Sequence, residues 1–176
     1  MMMLINFLYI LSDACFEYLK RQIISGVDAV QIFDSWANLL SEEQYLEYSL
    51  KYIKKILKKL SEDPVTSKTP TIVFARDPKC SLSEFQLNDL SCYGMFTSIN
   101  PNTAISVFEG SHALQGNLDP KILLEEDSVI KESVSRILSD FKDYPGYIFN
   151  LGHGITPDIN PDKVKVLVEA IRDSGS

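Results

Sequence analysis

Short apolar runs and longer amphipathic stretches take turns along the chain. Five runs are rich in β-branched or aromatic residues and end in turn-forming or polar residues, as buried strands do. They are Ala29 to Phe33 (AVQIF), Thr71 to Ala75 (TIVFA), Tyr93 to Thr97 (YGMFT), Ala113 to Gln115 (ALQ) and Tyr147 to Asn150 (YIFN). Between them apolar residues recur at helical spacing. Ser12 is placed to cap a helix with Cys15, Tyr18, Leu19 and Ile23 facing inward, and Gly26 suits its C-terminal stop. Ser41 and Gln44 form a capping box. They open a helix with Leu46, Leu50, Ile53, Ile56, Leu57 and Leu60 on its apolar side and Lys51, Lys54, Lys55, Lys58 and Lys59 on a solvated one. Ser81 with Glu84 repeats the capping pattern, and Asn100 with Pro101 starts a short helix. Val129, Ile130, Val134, Ile137, Leu138 and Phe141 stripe a further helix. Asn160 and Pro161 begin the last, with Val164, Leu167, Val168 and Ile171 inward.

This alternation implies parallel strands joined by right-handed crossovers, hence an α/β fold: a (β/α) barrel of the TIM type or an open doubly wound sheet. A complete barrel takes about 250 residues. With 176 residues and five strands, the chain is either an open sheet or part of a barrel of about five βα units. No G-x-G-x-x-G or G-x-x-x-x-G-K-[ST] follows a strand, which argues against a nucleotide-binding sheet. The apolar start, Met1 to Leu11, lacks a basic flank and at 11 residues is too short to span a bilayer, so a buried segment is expected.

Composition narrows the picture further. With 45% hydrophobic residues and no biased tract, residues 1–176 read as one compact domain with no membrane partner. A net charge of −7 leaves no broad basic surface, which excludes a nucleic-acid partner of the usual kind. Cys15, Cys80 and Cys92 are odd in number and form no C-x-x-C pair, the usage of reduced thiols in a cytoplasmic protein.

Functional groups in parallel α/β folds gather past the C-terminal ends of the strands. Those positions hold Asp34, Ser35 and Trp36, then Arg76 and Asp77, Ser98, Asn117 and Asp119, and His153. His153 stands between Gly152 and Gly154 directly after a strand, where backbone bulk is minimal and a ligand can approach closely. It either meets that ligand or hydrogen-bonds to its own loop. Ser35 either binds substrate or caps the loop, and Asp34 is an acid, a base or a loop holder. Arg76 offers a cation for carboxylates or a surface ion pair. His112 precedes a strand, on the face associated with stability, and reads as structural. No Ser/His/Asp order, nucleophile elbow or metal-ligand spacing is present.

Three segments carry a resemblance. YIFNLGHGITPD at 147–158, VDAVQIFDSWANLLSEEQY at 27–45 and LQGNLDP at 114–120 resemble segments of the uroporphyrinogen decarboxylase family, in the family's order and spacing. The similarity extends from about Leu11 to Ile171 and corresponds to the C-terminal half of that family. It implies a single (β/α)₈ barrel that dimerises with its active-site clefts facing each other and uses no metal or organic cofactor. It further implies uroporphyrinogen as substrate: the pyrrole ring is the electron sink, its protonation lets carbon dioxide leave, and the exocyclic carbon is then reprotonated. By motif, Ser35 and His153 match residues that contact the substrate's carboxylates, and Phe33 matches an aromatic pocket wall.

The chain also departs from the family pattern. The arginine-rich motif, the active-site aspartate and a substrate-contacting tyrosine belong to the family's N-terminal half. No catalytic residue is therefore assigned in this chain. The family's glycine after Phe-Ala-Arg is Asp77 here, and its Asp-Trp pair after the third strand is Phe96-Thr97. Two functions follow as expectations. One is a decarboxylase giving coproporphyrinogen III, working as a homodimer or with a separate N-terminal half. The other is an inactive barrel remnant with a structural or binding role. A corrinoid methyltransferase of the same superfamily needs a His-x-Cys zinc motif where this chain has Phe74-Ala75-Arg76.

Overall fold

A computed structural model describes residues 2–174. Its strands are β1 (Val30–Asp34), β2 (Thr71–Ala75), β3 (Cys92–Gly94), β4 (Ala113–Gln115) and β5 (Tyr147–Ile148). They form one sheet in chain order, β1-β2-β3-β4-β5, and the β1/β2 and β4/β5 pairs are parallel. A doubly wound sheet reverses its strand order at a switch point. Unbroken sequential order is the winding of a (β/α) barrel, and five strands make part of one. Contacts gather into two compact units, one ending at Tyr93 and one beginning at Gly94, and each is described by itself.

In the first unit, helix α1 (Met2–Ile24) and helix α3 (Lys51–Glu62) pack together over β1. Val30 of β1 joins Phe16, Leu19, Ile56 and Leu60 in the core cluster, with Ile32 partly buried against it. Strand alternation turns Phe33 and Phe74 to the other face, where they lie opposite each other in register. The helical stretch that ends in α3 opens as α2 (Glu42–Tyr45), passes through a π-helical turn over Leu46–Leu50 and runs on into α3. Ser41 and Gln44 complete both bonds of the expected capping box, at 3.3 and 3.1 Å.

Helix α1 departs from expectation. It begins ten residues before Ser12, because the apolar run from Met2 to Leu11 is itself helical. Ser12 lies inside the helix, and its buried hydroxyl donates to the Tyr9 carbonyl at 2.7 Å, a local bond that a mid-helix serine can make. The run is not a buried segment. Met3, Leu4, Phe7, Ile10 and Leu11 are exposed, while Met1 lies outside the described residues. Phe16 rather than Tyr18 faces the core, since Tyr18 is 65% exposed.

The lysine face of α3 is also more than a solvated surface. Lys55 and Lys59 both reach Asp13 of α1, at 2.7 and 3.0 Å, and lie over the rings of Tyr9 and Phe16. Lys20 pairs with Asp63, just past the end of α3. Ser81 caps a 3₁₀ turn over Leu82–Phe85 without a capping box, because the Glu84 carboxylate is taken by Lys54 at 3.0 Å.

In the second unit, α4 (Pro101–Phe108) starts as expected, with the Asn100 side chain accepting from the Thr103 amide at 3.3 Å. Helices α5 (Asp127–Asp140) and α6 (Pro161–Ser174) pack against each other. Ile130, Val134, Ile137 and Phe141 are buried as expected, but Val129 and Val168 face outward. The strands β3 and β5 are shorter than their apolar runs, because the backbone turns away to form the loops that carry the polar candidates.

Candidate functional site

Both residues of the first strand end that carry a matched role are on the surface. Ser35 follows β1 directly and is exposed, and Phe33 is 65% exposed with its ring centroid 6.1 Å from that of Phe74. Asp34, between them, is engaged in holding the backbone. Its carbonyl accepts from the Arg76 amide at 3.0 Å, and its carboxylate accepts from the Ser49 hydroxyl. Ser49 sits in the π-helical turn, a register that brings its side chain to the strand end. Fifteen residues separate the two, and no local pattern announces the pair.

Tyr45, wholly buried, completes the support beneath this loop. Burial pushes its phenol well above the ordinary range, and the Asp34 carboxylate adds to the shift. Cys80 is pushed up to about 11, first by burial and then by Glu84 and Glu42, so it is a protonated thiol at neutral pH. Asp77 adopts φ 44°, the left-handed region, and pairs with Lys79 at 2.7 Å. Glycine adopts that backbone conformation without strain, and aspartate tolerates it better than most residues.

In the second unit the candidates divide by role. Asn117 is buried, and its amide donates to the carbonyls of Phe96 at 3.0 Å and Ile99 at 2.8 Å. It clamps the turn after β3. Asp119 accepts from the Lys121 amide at 2.9 Å and caps the 3₁₀ turn Pro120–Leu124. Both are loop holders, whereas Ser98 is exposed. His112 is buried, edge-on to Phe108 at 5.3 Å, with Nδ1 2.8 Å from the Ser111 hydroxyl and its carbonyl accepting from Tyr144. These contacts fit the structural role expected of it.

His153 stands on a short ladder that continues past β5. The Leu118 amide donates to Asn150, and the Gly152 amide returns a bond to Leu118 at 2.9 Å. Gly152 then rests on Thr97 so closely that a Cβ there would lie 2.5 Å from the Thr97 nitrogen. The contact leaves no room for a larger residue and fixes where the next one emerges. His153 emerges exposed, its Nδ1 3.0 Å from the Gly154 carbonyl.

Sequential strand order, helices between the strands and polar residues past the strand ends define a barrel-type α/β protein. A family model described as uroporphyrinogen decarboxylase (URO-D) matches residues 3–174, and the chain belongs to that family. A uroporphyrinogen decarboxylase of Alcanivorax borkumensis is 41% identical over 161 residues, covering 92% of this chain and 46% of that protein. One of Chloroherpeton thalassium is 40% identical over 169 residues, covering 93% and 46%. The chain thus spans about half the length of the curated relatives it matches. Among solved structures, a methyltransferase from Methanosarcina mazei superposes with a TM-score of 0.74 at 18% identity, over 94% of this chain and 48% of that one. That likeness is one of fold.

Proposed function

We propose that this chain supplies about half of a uroporphyrinogen decarboxylase barrel, the half that holds the substrate's acidic side chains. The family match over residues 3–174 carries the reading. In it Ser35 and His153 hydrogen-bond to substrate carboxylates, and Phe33 forms an apolar wall against the tetrapyrrole. Their chemistry suits those roles: a hydroxyl donates to a carboxylate, an exposed imidazole donates once protonated, and an exposed ring offers apolar area. The electron sink is the substrate's own pyrrole ring, so the protein's work is to orient carboxylates and place a proton. The group that sits over the pyrrole nitrogens belongs to the rest of the barrel.

The chain alone is therefore expected not to form coproporphyrinogen at a measurable rate, since removing one positioned electrostatic group typically costs about 10²–10³ in rate. Joining it in frame to the remainder of the Alcanivorax borkumensis relative should give an active chimera. Family-like turnover by the isolated chain would sink this reading, and so would a folded but inactive chimera, which would favour a structural or binding remnant.

A further inference from the structure

A cation drawn partly out of water is ordinarily paired with an acid. In the first unit Lys20, Lys54, Lys55 and Lys59 are half-buried, and each reaches a carboxylate within 3.0 Å: Asp63, Glu84, and Asp13 for the last two. Arg76 is the exception. It is half-buried as well, yet its guanidinium has no ion pair, hydrogen bond or aromatic ring among the described residues. The acids beside it are engaged elsewhere. Asp77 pairs with Lys79 at 2.7 Å, and the Asp34 carboxylate accepts from Ser49. Of the two uses open to Arg76 in the sequence, the surface ion pair is therefore not made. Arg21 and Lys68 also lack an acid, but they are exposed and precede β1 and β2 instead of following them.

The strands fix where Arg76 stands. Phe33 lies opposite Phe74 and Asp34 opposite Ala75, so Ser35 and Arg76 come next, one past each strand end. The Arg76 amide donates to the Asp34 carbonyl at 3.0 Å, which carries the pairing one residue beyond the strands. Just before them the rings of Phe33, 65% exposed, and Phe74 lie 6.1 Å apart. A cation, a hydroxyl and apolar rings gather at one strand end, a set that suits a ligand with an apolar centre and an acidic rim. A guanidinium stays charged in proteins and meets a carboxylate with two parallel N–H bonds. The chain's net charge of −7 repels a polyanion, and an uncommitted arginine offsets that repulsion locally.

We propose that Arg76 is a further binding residue of this site, one that takes a carboxylate of the substrate beside Ser35. The proposal rests on the functional reading above. It gives this strand end a positive charge that Ser35 and Phe33 lack.

The test uses the chimera with the Alcanivorax borkumensis remainder, and uroporphyrin, the oxidised form of the substrate with its acidic side chains intact. Fluorescence titration gives Kd. Arg76→Gln should raise Kd about tenfold or more, as loss of a charge-assisted hydrogen bond does, and should raise KM for uroporphyrinogen more than it lowers kcat. Arg76→Lys keeps the charge without the planar fork and should fall between Arg76→Gln and the parent. Lys68→Gln should bind as the parent does, and the urea midpoints of all three variants should match it. Undiminished binding by Arg76→Gln, or an equal loss in Lys68→Gln, would overturn the proposal. A chimera that binds uroporphyrin through Arg76 but makes no coproporphyrinogen would uphold the carboxylate site and overturn the functional reading. An active chimera indifferent to Arg76 would do the reverse, and a chimera that does not bind uroporphyrin would overturn both.

Discussion

Gly152 and Gly154 flank the same histidine and have opposite surroundings. A methyl group on Gly152 would be driven into the Thr97 backbone, whereas nothing lies within 4 Å of the place a Cβ would take on Gly154. Gly152→Ala should therefore cost about 1–3 kcal/mol, the usual range for forced overpacking, and Gly154→Ala should cost almost nothing. Urea titration of both variants checks this, and equal midpoints would contradict the packing described. Asp77 makes a parallel case through its backbone. Asp77→Gly should leave stability within about 1 kcal/mol, while Asp77→Val should lose about 1–2 kcal/mol, because a β-branched residue tolerates the left-handed region poorly. In the active chimera, His153→Ala should lower kcat/KM by the equivalent of about 1–3 kcal/mol, the range for a charge-assisted hydrogen bond. An unchanged kcat/KM would remove His153 from the site. Two glycines that bracket a histidine after a strand made its exposed place in the loop legible in the sequence, and its role is what the chimera measures. Asn117 and Asp119 occupy equally suggestive positions, yet one clamps the turn after β3 and the other caps its own 3₁₀ turn, and only the partners of their side chains reveal that.

Two carboxylates at the seam between α1 and α3 tie this part of the protein to pH. Hydrogen bonds from Lys55 and Lys59 hold the Asp13 carboxyl below its usual range, and Lys20 does the same for Asp63. A lowered folded value means that the contribution is complete above the unfolded carboxylate's value of about 4 and is lost as the pH falls through the folded one. Denaturant midpoints should drop below about pH 4, and Asp13→Asn with Asp63→Asn should flatten that drop. A double variant with the parent's acid profile would show that these pairs do not couple to folding. The helices here follow local rules that a sequence displays: a capping box at Ser41, Asn100 before Pro101, apolar stripes at helical spacing. What stayed hidden needs partners far along the chain. The start of α1 could not be located from Ser12, because a serine that caps and a serine that bonds back into its own helix look alike in sequence. The lysine face looked solvated because Asp13 lies about forty residues away from Lys55 and Lys59.

At the scale of the whole molecule, the order of the strands decides the architecture. The alternation of elements allowed two windings, and the sheet order β1-β2-β3-β4-β5 selects the barrel. Strand lengths were overestimated because apolar residues such as Phe96 and Phe149 continue the strand pattern into loops. Cys92, in the middle strand of this order, is 3% exposed, and burial pushes its thiol up to about 12. Thiol reagents attack the thiolate, and this one is both covered and protonated. Cys92 is therefore a built-in timer for the opening of the sheet: at neutral pH it should be alkylated only as fast as β3 becomes exposed, and its labelling rate should climb with urea along the unfolding curve. Cys15 and Cys80, both only partly covered, should react ahead of it. If mass spectrometry of peptides quenched over time found all three modified together in native buffer, the sheet would be breathing far more freely than its buried centre implies. A slow, urea-dependent Cys92 would instead give a residue-resolved readout of how firmly the middle of the sheet holds.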